Sequence, residues 1–95
     1  GYDLNSVVLT LPDQKTINLK LPFTLTPMEV KLLQALARLG EASEAQLKQS
    51  ISSRRISGPL STLMDRMAAA GLELIEYKGE GAEGGVYRFR TEMLK

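Results

Sequence analysis

The sequence predicts an α+β domain in which a β-hairpin precedes three helices and a second β-hairpin closes the chain. Three observations carry this reading. Apolar and polar residues alternate at a period of two near both ends, as in half-buried strands. Between them, apolar residues recur every three or four positions in three consecutive segments. Those segments are bounded by helix start and stop chemistry, namely Thr26-Pro27, Gly40, Ser43, Ser57 and Gly71.

The first hairpin covers Asn5 to Leu21. Val7, Leu9 and Leu11 alternate with Val8, Thr10 and Pro12, and Ile17, Leu19 and Leu21 alternate with Asn18, Lys20 and Pro22. Pro12-Asp13-Gln14-Lys15 supplies the turn between them, because Pro pre-sets its backbone angle and Asp bonds to nearby backbone. An isolated hairpin is marginal in water, so this one must pack on the rest. Pro22 to Leu25 reads as a linker.

The first helix has a well-marked start, with Thr26 as N-cap, Pro27 as first residue and Glu29 closing a capping box. It runs to Leu39, with Gly40 as its stop. Met28, Leu32, Leu33, Leu36 and Leu39 form a wide apolar arc, leaving Lys31, Gln34 and Arg38 as a wet stripe, so this is the central helix. Glu41-Ala42 is a connector. Ser43 caps a short second helix with Gln46 as box partner, and Leu47 and Ile51 face inward. Ser50 to Ser53 ends it, since serines compete with helix by local hydrogen bonding.

The third helix follows Arg54-Arg55-Ile56. Ser57 is the expected N-cap, Pro59 fits the first turn and Gly71 suits the left-handed residue past the end. Leu60, Leu63, Met64 and Met67 point inward, whereas Gly58, Ser61, Thr62, Asp65, Arg66 and Ala69 lie opposite. Two helices joined by a few turn residues, the second small and polar outside, form a helix-turn-helix arrangement. A strand from Leu72 to Lys78 and another from Val86 to Arg90 complete the chain. Gly79 to Gly85, with four glycines in seven residues, is the expected flexible tip. It lacks the Gly-Lys-Ser/Thr of a phosphate-binding loop and joins two strands, which excludes that reading.

Composition bounds the function. The 95 residues carry 12 basic and 11 acidic side chains, so any attraction for a polyanion must come from local clustering. Without Cys or His there is no thiolate or imidazole site, and no catalytic, metal-binding or cofactor-binding constellation can be named. No run is apolar for long enough to cross a membrane, so no membrane contact is expected from this segment. The methionines are core filler. The chain reads as one cytoplasmic domain over residues 1–95, cut from a longer protein.

With these elements in this order, the chain resembles a winged helix-turn-helix domain. More narrowly, it is similar to the DNA-binding output domain of OmpR/PhoB-type response regulators. The resemblance rests on Leu25-Thr26-Pro27-Met28-Glu29-Val30-Lys31-Leu32-Leu33, like that family's Leu-Thr-x-x-Glu-x-x-Leu-Leu. It also rests on Ile56 to Met67 with Leu60, Leu63 and Met67 inward, and on the closing Val86-Tyr87-Arg88-Phe89. It spans nearly the whole chain and implies a bacterial transcription regulator whose third helix enters the major groove of double-stranded DNA, with the final hairpin as wing. A second copy, or other domains of a parent protein, would be further partners.

Under that resemblance, Arg54 and Arg55 hold phosphates beside the helix N-terminus. Ser57, Ser61, Thr62 and Arg66 enter the groove, with Arg66 the candidate for guanine. Lys78, Arg88 and Arg90 line the flank, and Lys48 touches backbone. The plainer reading makes each of these a cap, a solvated turn or an exposed strand face. Near-zero net charge, the three alanines ending the third helix, and Glu80 and Glu83 at the hairpin tip favour an alternative. In it, the same fold serves as a protein–protein interaction or dimerisation module without DNA binding.

Overall fold

The computed structural model describes residues 4–94 as an α+β domain of three helices and two small sheets. Strands β1 (Leu4–Thr10) and β2 (Thr16–Leu25) form an antiparallel pair. Helix α1 (Pro27–Leu39) follows, then β3 (Glu41–Ser43), α2 (Glu44–Ile51) and α3 (Ser57–Ala69). Strands β4 (Ile75–Gly81) and β5 (Gly84–Phe89) form the closing hairpin, ahead of a single 3₁₀ turn at Thr91–Met93.

The expected bounds of α1 hold at both ends. Glu29 N–H donates to Thr26 Oγ1 at 3.2 Å and Thr26 N–H donates back to Glu29 Oε1 at 2.9 Å. The second capping box, Ser43 with Gln46, is equally complete. At the end of α3, Gly71 N–H donates to Ala68 O and Leu72 N–H to Met67 O. This 5→2 and 6→1 pattern requires a left-handed residue past the cap, and Gly71 supplies it with φ +76°.

The core lies between the inner face of β1–β2, the three helices and β5. Leu9, Leu25, Leu33, Leu36, Leu47, Ile56 and Leu63 have no exposed surface. Alternation in β1 is as expected, with Val7 and Leu9 buried and Val8 57% exposed. Leu39 departs from the expected arc: it is 39% exposed at the C-terminal end of α1.

Five further expectations are corrected. The Glu41-Ala42 connector belongs to a strand, which pairs Glu41 with Arg88, Ala42 with Tyr87 and Ser43 with Val86, so that β5 is central in the sheet β3-β5-β4. Three residues are too few to show a period, and Ser43 serves both as last strand residue and as helix cap. The Pro22–Leu25 linker is the continuation of β2, with an irregularity between the pairs Leu4↔Leu25 and Ser6↔Lys20 that accommodates the proline.

The glycine-rich tip is mostly paired strand, and only Ala82 and Glu83 form the turn. Tyr77 faces Tyr87 and Gly79 faces Val86, so Lys78 is the extra residue of a bulge that Gly79 permits with φ +107°. Conversely, Leu72 and Leu74 precede the strand rather than begin it. Finally, Ser57 does not cap α3. Ile56 holds the N-cap position, buried in the core, and no side chain bonds the first turn.

Thr26→Ala should cost about 1 kcal/mol of stability in urea unfolding, whereas Ser57→Ala should stay within about 0.5 kcal/mol because no cap is lost.

Candidate functional site

The surface around the α2–α3 turn is built from the ends of two helices. Helix α2 closes at Ser52 in the left-handed region (φ +54°), and Ser53 N–H donates to Lys48 O at 3.0 Å. Ser53 Oγ donates to Arg55 O at 3.1 Å, which stiffens the turn. Ile56 then plunges into the core. Between these anchors Arg54 and Arg55 are exposed, and among the described residues neither has a carboxylate within 4 Å.

Helix α3 begins beside them. Its first N–H groups, those of Ser57 and Gly58, have no intrahelical acceptor and no capping side chain. Ser57, Gly58, Ser61 and Thr62 are exposed on the first two turns, followed by exposed Asp65. A methyl group added at Gly58 would meet nothing within 4 Å apart from its chain neighbours, of which Pro59 disfavours a side chain on the helical residue before it.

Arg66 is on the same helix but is not free to serve that surface. Its Nη1 donates to Glu29 Oε1 at 2.9 Å and Oε2 at 3.0 Å, and its Nη2 donates to the carbonyl of Thr24. The guanidinium also stacks over Phe23, 4.5 Å from the ring centroid. Glu29 is 3% exposed. The expected guanine reader is therefore a tie between α3, the end of β2 and the first turn of α1. A buried carboxylate loses its hydration and must be paired, and Thr26 N–H and Arg66 together satisfy it.

The basic residues of the closing hairpin are likewise engaged. Lys78 Nζ lies 3.0 Å from Glu41 Oε1. Arg88 bonds Glu76 at 2.8 Å and Glu92 at 2.7 Å, and Arg90 approaches Glu92 at 3.6 Å and Glu73 at 4.0 Å. Arg88 holds the Glu92 carboxyl down at about 2, with a smaller contribution from backbone hydrogen bonding. Bonds from Glu92 and then Glu76 push the Arg88 guanidinium further up. Tyr77 and Tyr87 pack with centroids 5.3 Å apart, and Tyr77 OH donates to Glu80 at 2.9 Å, which raises the tyrosine's pKa. Glu83 stands exposed in the turn. From Glu73 to Glu92 there are five glutamates to three basic residues, so the hairpin neutralises its own cations.

The structure thus separates the expected site residues. Arg54, Arg55, Ser57, Ser61 and Thr62 share one exposed surface. Arg66 is turned inward, and Lys78 and Arg88 sit in ion pairs on the hairpin. Lys31, Gln34 and Arg38 form the exposed stripe on α1, as read from the sequence, and Lys48 is half-buried. Sequence reasoning missed the second role of Glu29 and the acidic partners on the hairpin. The Glu76↔Arg88 pairing becomes readable only once the strand register is known. Comparison with protein-family models, with curated proteins and with solved structures finds no match to the chain.

Two outcomes are expected. Arg66→Ala should destabilise the domain by about 3 kcal/mol in urea unfolding, because it leaves a buried carboxylate underpaired, and Arg66→Lys should recover only part of this. Glu92→Gln should lower stability near neutral pH. Because the folded-state pKa of Glu92 is depressed, that contribution is present above about 4.5 and is lost as pH falls towards about 2. The unfolding midpoints of the two proteins should therefore converge through this interval.

Proposed function

We propose that this domain is a winged helix-turn-helix that binds double-stranded DNA as part of a transcription regulator, with α3 against the major groove. The observation that carries the reading is the uncapped, exposed start of α3 flanked by two arginines that have no acidic partner among the described residues. Free backbone N–H groups, a positive helix end and two guanidinium groups together suit a phosphate of the duplex backbone. Behind that anchor, Ser57, Ser61 and Thr62 offer hydroxyl donors and acceptors to base edges.

The order of elements supports the fold half of the proposal. A hairpin, three helices with a strand between the first two, and a closing hairpin packed beside β3 agree with the resemblance carried by the sequence. The self-neutralised closing hairpin makes it a weak electrostatic partner for DNA. The contact therefore rests on few phosphates, and useful affinity requires a second copy or a tethered domain. Under this reading the protein acts in the cytoplasm on DNA and requires no cofactor.

A second reading is favoured by one observation. Lys78, Arg88 and Arg90 are all engaged by carboxylates. A winged helix so balanced can instead present the hairpin to a protein.

The test is duplex binding by fluorescence anisotropy across a salt series. Two arginine contacts and a helix N-terminus correspond to a slope of log K against log salt of about −2 to −3, and Arg54→Ala or Arg55→Ala should each reduce it by about 1. Gly58→Ala should weaken DNA binding, because under this reading its methyl group faces the duplex, and crowding of that methyl against Pro59 should offset the usual helix gain of alanine. Absence of salt-dependent binding, or neutrality of both arginine substitutions, would refute the DNA reading.

A further inference from the structure

An open groove of about 500 Å³ runs between the outer edge of β1 (Val8, Thr10), the polar stripe of α1 (Lys31, Gln34, Arg38) and the end of α2. It lies outside the surface assigned to DNA. Three features of it are independent of one another.

The first is an open strand edge. The turn bonds Leu11 N–H to Lys15 O at 2.8 Å, and the register continues through Leu9↔Ile17 and Val7↔Leu19. In an antiparallel ladder, odd-numbered residues then exchange bonds with β2, and Ser6, Val8 and Thr10 turn their N–H and C=O groups outward. In accord with this, Val8 O accepts from Gln34 Nε2 at 3.3 Å, a side chain from outside the sheet. Among the described residues no strand pairs with that edge.

The second feature is the lack of protecting residues within the strand itself, so that Gln34 of α1 is the one side chain bonded to the edge among the described residues. No proline interrupts β1, its residues 4–10 include no charged side chain, and Val8 is 57% exposed. The third is charge. Lys31 and Arg38 stand on the groove wall, and among the described residues neither has a carboxylate within 4 Å. They are two turns apart, about 10 Å along α1. That falls within the span of carboxylates on one face of a strand at i and i+2 to i+4, about 7–14 Å.

The geometry points to an acidic, extended peptide segment of a partner protein as the occupant of this groove. It adds as a third strand to the outer edge of β1, and its carboxylates pair with Lys31 and Arg38. Main-chain bonds to Ser6, Val8 and Thr10 supply affinity, and the two cations supply selectivity for acidic sequence. The site uses none of the residues proposed to hold DNA, so each activity can be lost without the other.

The test uses the whole domain and a fluorescein-labelled, end-blocked peptide of sequence Thr-Glu-Val-Glu-Val-Glu-Thr, read by anisotropy at low salt. Saturable binding is expected. Lys31→Gln with Arg38→Gln should weaken it about tenfold, as should replacing the peptide's glutamates by glutamines. N-methylation of alternate peptide amides should weaken it at least tenfold, because strand addition needs those donors. Val8→Pro should do the same, since its outward N–H serves no internal bond and proline is tolerated on an edge. Arg54→Ala with Arg55→Ala should leave peptide binding unchanged. The proposal is overturned if no saturable binding occurs, or if the N-methylated peptide binds equally well. It is also overturned if sedimentation shows a second copy filling the edge, or if a 20-base-pair duplex binds there through Lys31 and Arg38.

Discussion

The arrangement of the helices depends on the burial of one carboxylate. Glu29 enters the interior because the capping box at the start of α1 draws its side chain back towards Thr26 N–H. Once inside, it needs a cation, and Arg66 reaches it from the last turn of α3 while also donating to Thr24 and covering Phe23. A local rule of helix initiation thus becomes a long-range constraint. It ties α3 to the start of α1, and the apolar contacts of Leu60, Leu63 and Met67 close the remaining gap. The same constraint removes the one basic residue from the body of α3. What remains outward on that helix is small and polar, so the charge available for a partner lies at its entrance, on Arg54 and Arg55.

A second division of labour follows from where carboxylates fall. The closing hairpin places Glu76 opposite Arg88, and the turn after β5 adds Glu92 to both Arg88 and Arg90. These exposed pairs contribute little individually to stability. Their larger effect is to cancel the field of the hairpin. The helices follow the opposite course: Lys31 and Arg38 on α1, and Arg54 and Arg55 in the α2–α3 turn, stand without acidic partners among the described residues. A chain of near-zero net charge therefore has two separate basic surfaces, the proposed DNA contact and the proposed peptide groove.

Much of the fold could be read from local rules acting where they had no rival. Thr26, Pro27 and Gly40 bound α1 as expected because caps act within one turn, and the alternation of Val7, Val8 and Leu9 sets the inner face of β1. Reading failed where tertiary pairing overrode local preference. Glu41–Ser43 becomes a strand only because β5 lies alongside, and the glycines after Lys78 are drawn into a ladder rather than left in a loop. Ser57 looked like a cap by residue type, but the burial of Ile56 shifts the helix start by one residue. The candidate site was half legible. Arg54 and Arg55 stand in a polar turn that no distant element contests. Arg66, Lys78 and Arg88 have partners 37, 37 and 12 residues away, which no local pattern reveals; only the second partner of Arg88, Glu92, lies close in sequence.

The proposed function resides at the entrance of α3 rather than along its body or on the hairpin. It is tested most directly by following backbone amide resonances during titration with a short duplex at low salt. Shifts confined to Ser53–Thr62 are expected, largest at the uncapped N–H groups of Ser57 and Gly58. Shifts centred on the closing hairpin or on β1 and α1, with Ser57 and Gly58 unmoved, would contradict it.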